Sequence, residues 1–257
     1  VNVKLKYLVY RVSLVKLKLV IGLICLSSGT VFSQQFAGDN QWVAPHGVAT
    51  LVGTFGQRYM MLDVTVAVIQ EWEFNLQATH YYKDPRNQTT SYTSPSFYIK
   101  RRLWQNKSET AGYALFAGTG IYPQHLDQEE VTSTFRSWWA MGVATFAFAE
   151  NKILWDILPG VVANLDHKQS GDTAWGFSYS SRVAVYKIIP SSAIVAEVFG
   201  TAGDASSPIS YRAGVRWESK HVIIAGTYSD SFDGSIAAGL EIGIVVLTNK
   251  LWGKNKE

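Results

Sequence analysis

From residue 40 onwards the chain consists of segments of about ten residues in which apolar residues alternate with polar or small ones. The segment from Trp72 to Ala78 shows this most clearly: its even-numbered positions carry Trp, Phe, Leu and Ala, and its odd-numbered positions carry Glu, Asn and Gln. Successive side chains of a β-strand point to opposite faces. A period of two therefore predicts strands with one apolar and one polar face.

These segments predict an all-β fold of about twelve strands, within a range of ten to fourteen. The predicted strands span residues 46–56, 60–69, 71–82, 96–104, 111–122, 137–148, 152–163, 173–187, 192–201, 208–218, 221–228 and 236–252. Connections after even-numbered strands are short, such as Gln70–Glu71. Most connections after odd-numbered strands are longer, such as residues 83–95 and 123–136, and only the first, near Gln57, departs from this rule.

Bacterial outer-membrane barrels alternate in the same way, with short periplasmic turns and longer external loops. The pattern predicts a transmembrane antiparallel up-and-down β-barrel over residues 46–252 in the bacterial outer membrane. A soluble β-sandwich would explain the alternation within strands, but it would not require long loops at one end and short turns at the other.

Aromatic residues lie near both predicted rims of this barrel. An indole or phenol ring is stable where its apolar body meets lipid and its polar tip meets water. One predicted girdle, at the periplasmic strand ends, contains Trp72, Trp104, Trp155, Trp217 and Trp252; the other, at the outer ends, contains Tyr82, Tyr122, Trp138, Trp175 and Tyr228.

The first 33 residues differ from the rest, since they carry five cationic residues, no acidic residue and the apolar run from Leu19 to Leu26. This composition predicts a cleaved signal peptide over residues 1–33. A membrane anchor is the alternative, but Lys16 and Lys18 interrupt the apolar run. Residues 34–45 are then an N-terminal periplasmic segment and residues 253–257 a C-terminal tail. The single cysteine, Cys25, is removed with the signal.

Charge excludes one class of partner. The chain has 23 Lys and Arg, and removing the five in the signal leaves 18 against 20 Asp and Glu, a net charge of −2. A nucleic-acid partner is therefore not expected. The polar strand faces instead predict a charge-balanced lumen, in which ion pairs fill the interior or select a permeant. The predicted lumen-lining residues are Asp63, Glu73, Lys100, Arg102, Asp156, Arg182, Glu197, Arg212, Arg216 and Glu241.

Catalytic chemistry is not predicted. His80, His125, His167 and His221 are the candidates for a rim-located lipid hydrolase, but none has a convincing serine partner and no Gly-x-Ser-x-Gly element occurs. The acidic segment from Pro123 to Glu130 matches no established metal-ligand spacing. No cofactor is expected. The expected partners are membrane lipids, lipopolysaccharide and the machinery that assembles outer-membrane barrels.

Two segments carry a family resemblance, namely residues 39–47, which lead into the first strand, and residues 190–197, which begin the strand ending in Gly200. The chain resembles Gram-negative outer-membrane barrels in general, and in these segments it is similar to the transporter family grouped with the meta-pathway of phenol degradation. That resemblance implies transport of small solutes, hydrophobic ones included. The predicted function is a channel or passive transporter; a structural or interaction barrel with a plugged lumen is the alternative, and a lipid hydrolase is a third reading.

Overall fold

The computed structural model describes residues 40–83, 91–121, 134–165, 172–234 and 238–253. Within them, twelve antiparallel strands form one closed barrel in which each strand pairs with the next and β1 pairs with β12. The strands are β1 (Ala49–Gly56), β2 (Tyr59–Ile69), β3 (Trp72–Tyr81), β4 (Tyr92–Gln105), β5 (Gly112–Thr119), β6 (Ser137–Phe148), β7 (Ile153–Asn164), β8 (Ala174–Tyr186), β9 (Ser192–Gly203), β10 (Ser207–Glu218), β11 (Val222–Ser231) and β12 (Gly239–Leu247). A short 3-10 helix, Thr134–Arg136, precedes β6. The predicted all-β, up-and-down barrel is confirmed.

In the described ranges, no helix is long and apolar enough to cross a membrane.

The two ends of the barrel differ in their connections. The end at which β2–β3, β4–β5, β6–β7, β8–β9 and β10–β11 connect, here called the turn end, has short turns and also holds the start of β1 and the end of β12. Glu71 and Asn151 adopt φ angles of 67° and 62° there, as tight hairpins require. The opposite end, here called the loop end, has the longest connections, residues 82–91 and 120–136, and also two short ones, residues 57–58 and 204–206.

The side chains of the strands divide into an apolar outer belt and a polar interior. On β3 the outward Leu76 is 49% exposed, whereas its neighbours Asn75 and Gln77 are buried. On β12 the outward Ile242 is 58% exposed and the inward Glu241 is buried. Such exposed apolar area is costly in water but stable against hydrocarbon. The outer belt is therefore the lipid-facing surface.

Several strand boundaries differ from the sequence prediction by a few residues, and three of these differences bear on the architecture. β4 begins at Tyr92 rather than at residue 96, so that Pro95 lies within it. β4 first pairs with β5 at Phe97, so Pro95 has only β3 as a paired neighbour, a setting in which a proline is tolerated. β9 continues to Gly203, which reduces the predicted connection at 201–207 to three residues.

The third difference is at the C-terminus, where the prediction that the last strand ends at Trp252 is wrong. β12 ends at Leu247, and the chain beyond it turns to the segment that precedes β1. The amide of Leu251 donates to the carbonyl oxygen of Gly47 at 2.7 Å. Gly47 has a φ of 89°, and a Cβ there would lie 2.1 Å from the carbonyl oxygen of Trp252. This contact needs glycine at position 47.

Residues 40–44 enter the barrel from the turn end and lie inside it, and we call them the plug. All five are buried, with exposed fractions from 2% to 7%. Trp42 and Ala44 pack against inward side chains of β1, β2, β11 and β12. Gly112 allows the close approach, because a Cβ there would lie 2.9 Å from Oε1 of Gln41 and 2.3 Å from the carbonyl oxygen of Trp104.

Candidate functional site: the lumen

One row of inward residues crosses four neighbouring strands with alternating charge. Asp156 of β7 pairs in register with Arg182 of β8, Arg182 with Glu197 of β9, and Glu197 with Arg212 of β10. Residues directly opposite on one face of an antiparallel pair have Cβ atoms about 5 Å apart. The register alone therefore places each charge beside a charge of the opposite sign, and Arg182 and Glu197 each lie between two such charges.

The contacts in this row are short and well directed. Nε and Nη2 of Arg182 donate to Oδ2 of Asp156 at 2.8 and 2.6 Å, and the hydroxyl of Thr145 donates to Oδ1 at 2.6 Å. The hydroxyl of Ser180 donates to Oε1 of Glu197 at 2.6 Å. The other carboxylate oxygen of Glu197 is buried and makes no hydrogen bond within the part of the chain that the structure describes.

A third buried carboxylate, that of Glu241, contacts the last residue of this row. Nε of Arg212 lies 2.9 Å from Oε2 of Glu241, which is on β12 beyond the intervening strand β11. The hydroxyl of Tyr59 donates to Oε1 of Glu241, and Thr227 donates to Oε2 at 3.3 Å. The Glu241 carboxylate thus links β2 to β10 and β11 near the loop end.

Two further buried ion pairs lie nearer the turn end. Nζ of Lys100 lies 3.9 Å from Oε2 of its cross-strand neighbour Glu73. Nε of Arg216 lies 2.6 Å from Oε1 of Glu218, and Arg216 also donates to the hydroxyl of Tyr186. Buried ions of this kind are stable only when they are paired and hydrogen-bonded.

The wall binds the plug through both hydrogen-bond donors and hydrogen-bond acceptors. Lys100 Nζ donates to the carbonyl oxygen of Trp42 at 2.5 Å, and the amide of Ala44 donates to Oε1 of Glu73 at 2.6 Å. The amide of Gln41 donates to the hydroxyl of Thr145 at 3.1 Å. Because Thr145 in turn donates to Asp156, the plug is connected to the charged row.

One side of the interior is apolar. Inward residues of β4 to β7 form a buried cluster that faces away from lipid: Tyr98, Ala114, Phe116, Trp139, Met141, Val143, Leu158 and Val162. Trp139 packs against Tyr98 and Phe116 with ring centroids 5.5 and 5.9 Å apart. The lumen therefore has an apolar wall on β4 to β7, and its charged row begins on β7 and continues over β8 to β10.

Nine of the ten residues predicted to line the lumen are buried, with exposed fractions of 5% or less, and the tenth, Arg102, is half-buried. Asp63 accepts hydrogen bonds from Tyr98 at 3.2 Å and from Thr65 at 3.3 Å. Exposures this low mean that the interior is packed around these charges in this conformation. Selection of a permeant by these side chains stays a prediction.

Several lumen residues were not predicted from the sequence. Glu218 and Tyr98 lie two positions from Arg216 and Lys100 and point to the same side, so strand periodicity was a sufficient signal for both. Residues 40–44 precede the first strand and show no strand pattern of their own. Nothing in their sequence indicated that they lie inside the barrel.

A cavity of about 580 Å³ lies at the turn end, beside Trp42 of the plug. Lys107, Lys220 and Lys250 line it, together with His221 and Glu109, and Trp42 forms part of its surface. Three ammonium groups against one carboxylate give this mouth a positive field.

Most of the predicted girdle residues lie on the outer wall. Exposed members are Trp104, Trp155, Tyr82, Trp138, Trp175 and Tyr228, and partly exposed members are Trp72 and Trp217. Trp104 contacts Tyr113 at 5.5 Å and Trp155 contacts Phe146 at 5.8 Å between ring centroids. Trp252 lies beyond β12 beside Gly47, so its assignment to a strand end is wrong. Tyr122 lies outside the described residues.

Two of the four histidine candidates lie within the described residues, and they are at opposite ends of the barrel. Nδ1 of His80 lies 2.8 Å from the hydroxyl of Thr93 on the outer wall, while His221 lies at the turn end. His125, His167 and the acidic segment 123–130 lie outside the described residues. In the described part, no group of three His, Cys, Asp or Glu side chains is placed to hold a metal ion.

Comparison with known proteins identifies the architecture. No family model and no curated sequence matches the chain. An outer-membrane channel from Pseudomonas putida F1 is similar over 80% of this chain and 97% of its own, with a TM-score of 0.50 and 9% identity. LpxR from Salmonella typhimurium matches over 77% and 99%, with a TM-score of 0.44 and 10% identity. A mutant porin of Rh. blastica matches over 75% and 56%, with a TM-score of 0.38 and 14% identity. The closed barrel, its apolar outer belt and its similarity to outer-membrane proteins make this chain a twelve-stranded β-barrel of the bacterial outer membrane.

Proposed function

We propose that this barrel is a narrow channel or passive transporter for small solutes, and that its passage is controlled by the plug. The supporting observation is that residues 40–44 are buried inside the turn end of the barrel without belonging to its wall. Displacement of the plug would widen the passage and leave every strand pairing of the barrel intact. A barrel of twelve strands lies between small filled barrels and wide porins, so a narrow conduit fits its size.

Within the described residues, the plug is held by hydrogen bonds and by burial and not by strand pairing. The hydrogen bonds from Lys100 to Trp42 and from Ala44 to Glu73 each involve an ionised group, and such bonds contribute about 1.5 to 3 kcal/mol each. Burial of Trp42 against inward side chains of β1, β2, β11 and β12 adds to the free energy that holds the plug in place. The plug is thus held by several kcal/mol, whereas opening the barrel wall would break whole ladders of hydrogen bonds.

The chemistry of the interior favours small solutes with both an apolar and a polar part. The apolar side of β4 to β7 faces the charged strands, and Oε2 of Glu197 is a buried acceptor with no hydrogen bond in the described residues. A hydroxyl or amino group on a solute would satisfy that oxygen while the apolar part contacts Phe116 or Trp139. The likeness of residues 39–47 and 190–197 to transporters of the phenol meta-pathway agrees with this class.

Orientation follows from the connections. We infer that the turn end faces the periplasm and the loop end faces outward, as the lengths of the connections indicate. The positive mouth lined by Lys107, Lys220 and Lys250 then opens to the periplasm. Lipopolysaccharide would surround the loop end. The predicted signal peptide over residues 1–33, the N-terminal periplasmic segment over residues 34–45, of which residues 40–44 form the plug, and the role of the assembly machinery are part of the same proposal.

The experiment is single-channel recording in planar bilayers on the protein from residue 34 onwards and on a variant that lacks residues 34–44. We expect the full protein to show brief or small openings and the truncated protein to show larger, longer ones. A matched variant with residues 40–44 replaced by Gly and Ser tests whether loss of the specific contacts is sufficient. Absence of conductance from correctly folded truncated barrels would contradict the proposal.

The second candidate function is a structural or interaction barrel with a permanently closed lumen. It is favoured by the near-complete burial of nine of the predicted lumen residues. It predicts electrical silence from both the full and the truncated protein, with solutes excluded from liposomes that contain either one. The same recordings therefore distinguish the two candidates.

A further inference from the structure

The lipid-facing wall carries a groove of about 620 Å³ over strands β4 to β8. Its floor consists of small outward residues on the two central strands, Ala117 on β5 and Ala140 and Gly142 on β6. A Cβ built on Gly142 would meet only Cδ2 of Leu115, at 3.6 Å. The floor is therefore open space at the point where neighbouring positions of the belt carry large side chains.

The register explains how the groove forms. Ile99, Ala117, Ala140, Val161 and Phe177 are successive cross-strand partners from β4 to β8. Large residues thus stand at both ends of this row and alanines in its middle. In the next row towards the turn end, Leu115 pairs with Gly142 and again leaves a gap beside a large residue. The depression runs along β5 and β6 and has the apolar lining that an extended hydrocarbon chain requires.

A cation lies at the turn-end edge of this apolar groove. Arg101 is exposed, lines the groove and pairs in register with Trp72, the first residue of β3 after the turn. Its guanidinium carbon lies 5.1 Å from the centroid of the Trp72 ring, and no carboxylate of the described residues forms a salt bridge with it. An arginine on a lipid-facing wall is tolerated near the interface, where headgroups are within reach.

We propose that this groove is a binding site for one glycerophospholipid, with an acyl chain along β5 and β6 and the phosphate on Arg101. A glycerophospholipid joins apolar acyl chains to an anionic phosphate. The apolar floor would hold an acyl chain, and the cation at the turn-end edge would bind the phosphate. A guanidinium donates several hydrogen bonds to a phosphate in a fixed planar geometry. The Trp72 ring holds the guanidinium at the level where a headgroup would lie.

The position of Arg101 selects between the two kinds of lipid in this membrane. Arg101 lies on the side of the turn end, which by the lengths of the connections faces the periplasm. The periplasmic leaflet consists of glycerophospholipids, whereas lipopolysaccharide occupies the outer leaflet. The site is on the outside of the barrel, so it does not depend on the lumen being open.

Native mass spectrometry of the detergent-solubilised protein tests the site, with phosphatidylglycerol as the probe lipid and a diacylglycerol with the same chains as the probe without phosphate. We expect one tightly retained phosphatidylglycerol. Arg101→Gln should weaken retention about fivefold, which corresponds to the attraction of one cation for an anionic lipid. Gly142→Leu should fill the groove and weaken retention at least as much, and Ala140→Leu serves if the first variant does not fold.

The matched control for the groove is Gly226→Leu, because Gly226 is an outward glycine on β11 with nothing within 4 Å of its Cβ position. Lys152→Gln, an exposed cation in a turn at the same end, is the control for Arg101. Both should retain the lipid as the unaltered protein does. Equal retention by all variants, equal retention of diacylglycerol, or a preference for lipid A over phosphatidylglycerol would each overturn the proposal.

Discussion

Nζ of Lys100, on the inner face of β4, donates a 2.5 Å hydrogen bond to the carbonyl oxygen of Trp42, so a residue of the barrel wall holds the segment that lies inside the barrel. Glu73, the cross-strand neighbour of Lys100, accepts from the amide of Ala44 in the same segment. One buried ion pair therefore supplies both a donor and an acceptor to the plug. This arrangement links the charge of the wall to the closure of the turn end.

The first prediction concerns this link. Lys100→Met, combined with Glu73→Gln to avoid an unpaired buried carboxylate, should raise the fraction of time for which single channels are open. Each lost charged hydrogen bond is worth about 1.5 to 3 kcal/mol, which is about a ten- to hundredfold change in the plug equilibrium. The measurement is open probability in planar bilayers, with Lys152→Met as the control on an exposed lysine. An unchanged open probability in folded barrels would show that these contacts do not hold the plug.

The second prediction concerns the charged row. Arg182→Met removes the partner of Asp156 and should destabilise the barrel by about 3 to 5 kcal/mol, because it leaves an uncompensated buried carboxylate. Asp156→Leu together with Arg182→Met removes both ions and should cost less than the single change. Urea unfolding in lipid vesicles, followed by tryptophan fluorescence, gives both free energies. A double variant less stable than the single one would contradict the account of this pair.

The register also changes what a charge reversal at Arg212 is expected to do. Arg212 lies beside Glu197 in the ladder and 2.9 Å from Glu241, so Arg212→Glu would bring three carboxylates together. Reversing the charge of a residue that merely lined an open lumen would alter ion preference more than stability. The paired geometry predicts instead that Arg212→Glu prevents stable folding, whereas Arg212→Gln keeps a neutral hydrogen-bonding group in place.

The third prediction concerns how the cost of a charge on the lipid-facing wall depends on its depth in the membrane. Ile244 lies in the middle of β12 and points outward, so Ile244→Arg should destabilise the inserted barrel by about 2 to 4 kcal/mol. Ile189, in the β8–β9 turn, is 54% exposed at the turn end, and Ile189→Arg should cost about 0 to 1 kcal/mol. Refolding into vesicles, followed by heat-modifiable gel mobility, compares the two. Equal costs at both positions would show that β12 does not cross the hydrocarbon core as described.

The strands of this barrel could be predicted from the sequence because each one shows the alternation of apolar and polar residues by itself. Alternation at Trp72 to Ala78 defines an inner and an outer face without reference to any other strand. The same alternation located Asp156, Arg182, Glu197 and Arg212 on the inner face. It did not show that they form one row, because their pairing depends on the register of three separate hairpins.

The plug and the C-terminus were not predictable in the same way. Trp42 and Ala44 lie outside any strand, and their burial depends on contacts with β1, β2, β11 and β12, which are distant in sequence. The sequence predicts the end of β12 too late because Leu251 and Trp252 resemble the end of an apolar strand. The amide of Leu251 instead donates to the carbonyl oxygen of Gly47, a contact between residues far apart in the sequence that no local pattern encodes.

The plug inside the lumen is the central claim, and the reactivity of a single cysteine at its last residue tests it most directly. Ala44 is 2% exposed, whereas His46, two residues away, is exposed. In a protein without Cys25, Ala44→Cys and His46→Cys are labelled in vesicles with a water-soluble, membrane-impermeant thiol reagent that reaches the turn end. We predict that position 44 is labelled at least about tenfold more slowly than position 46. A free-energy difference of about 1.4 kcal/mol in favour of the buried plug already reduces the accessible fraction tenfold. Equal rates at the two positions would show that the segment lies outside the lumen.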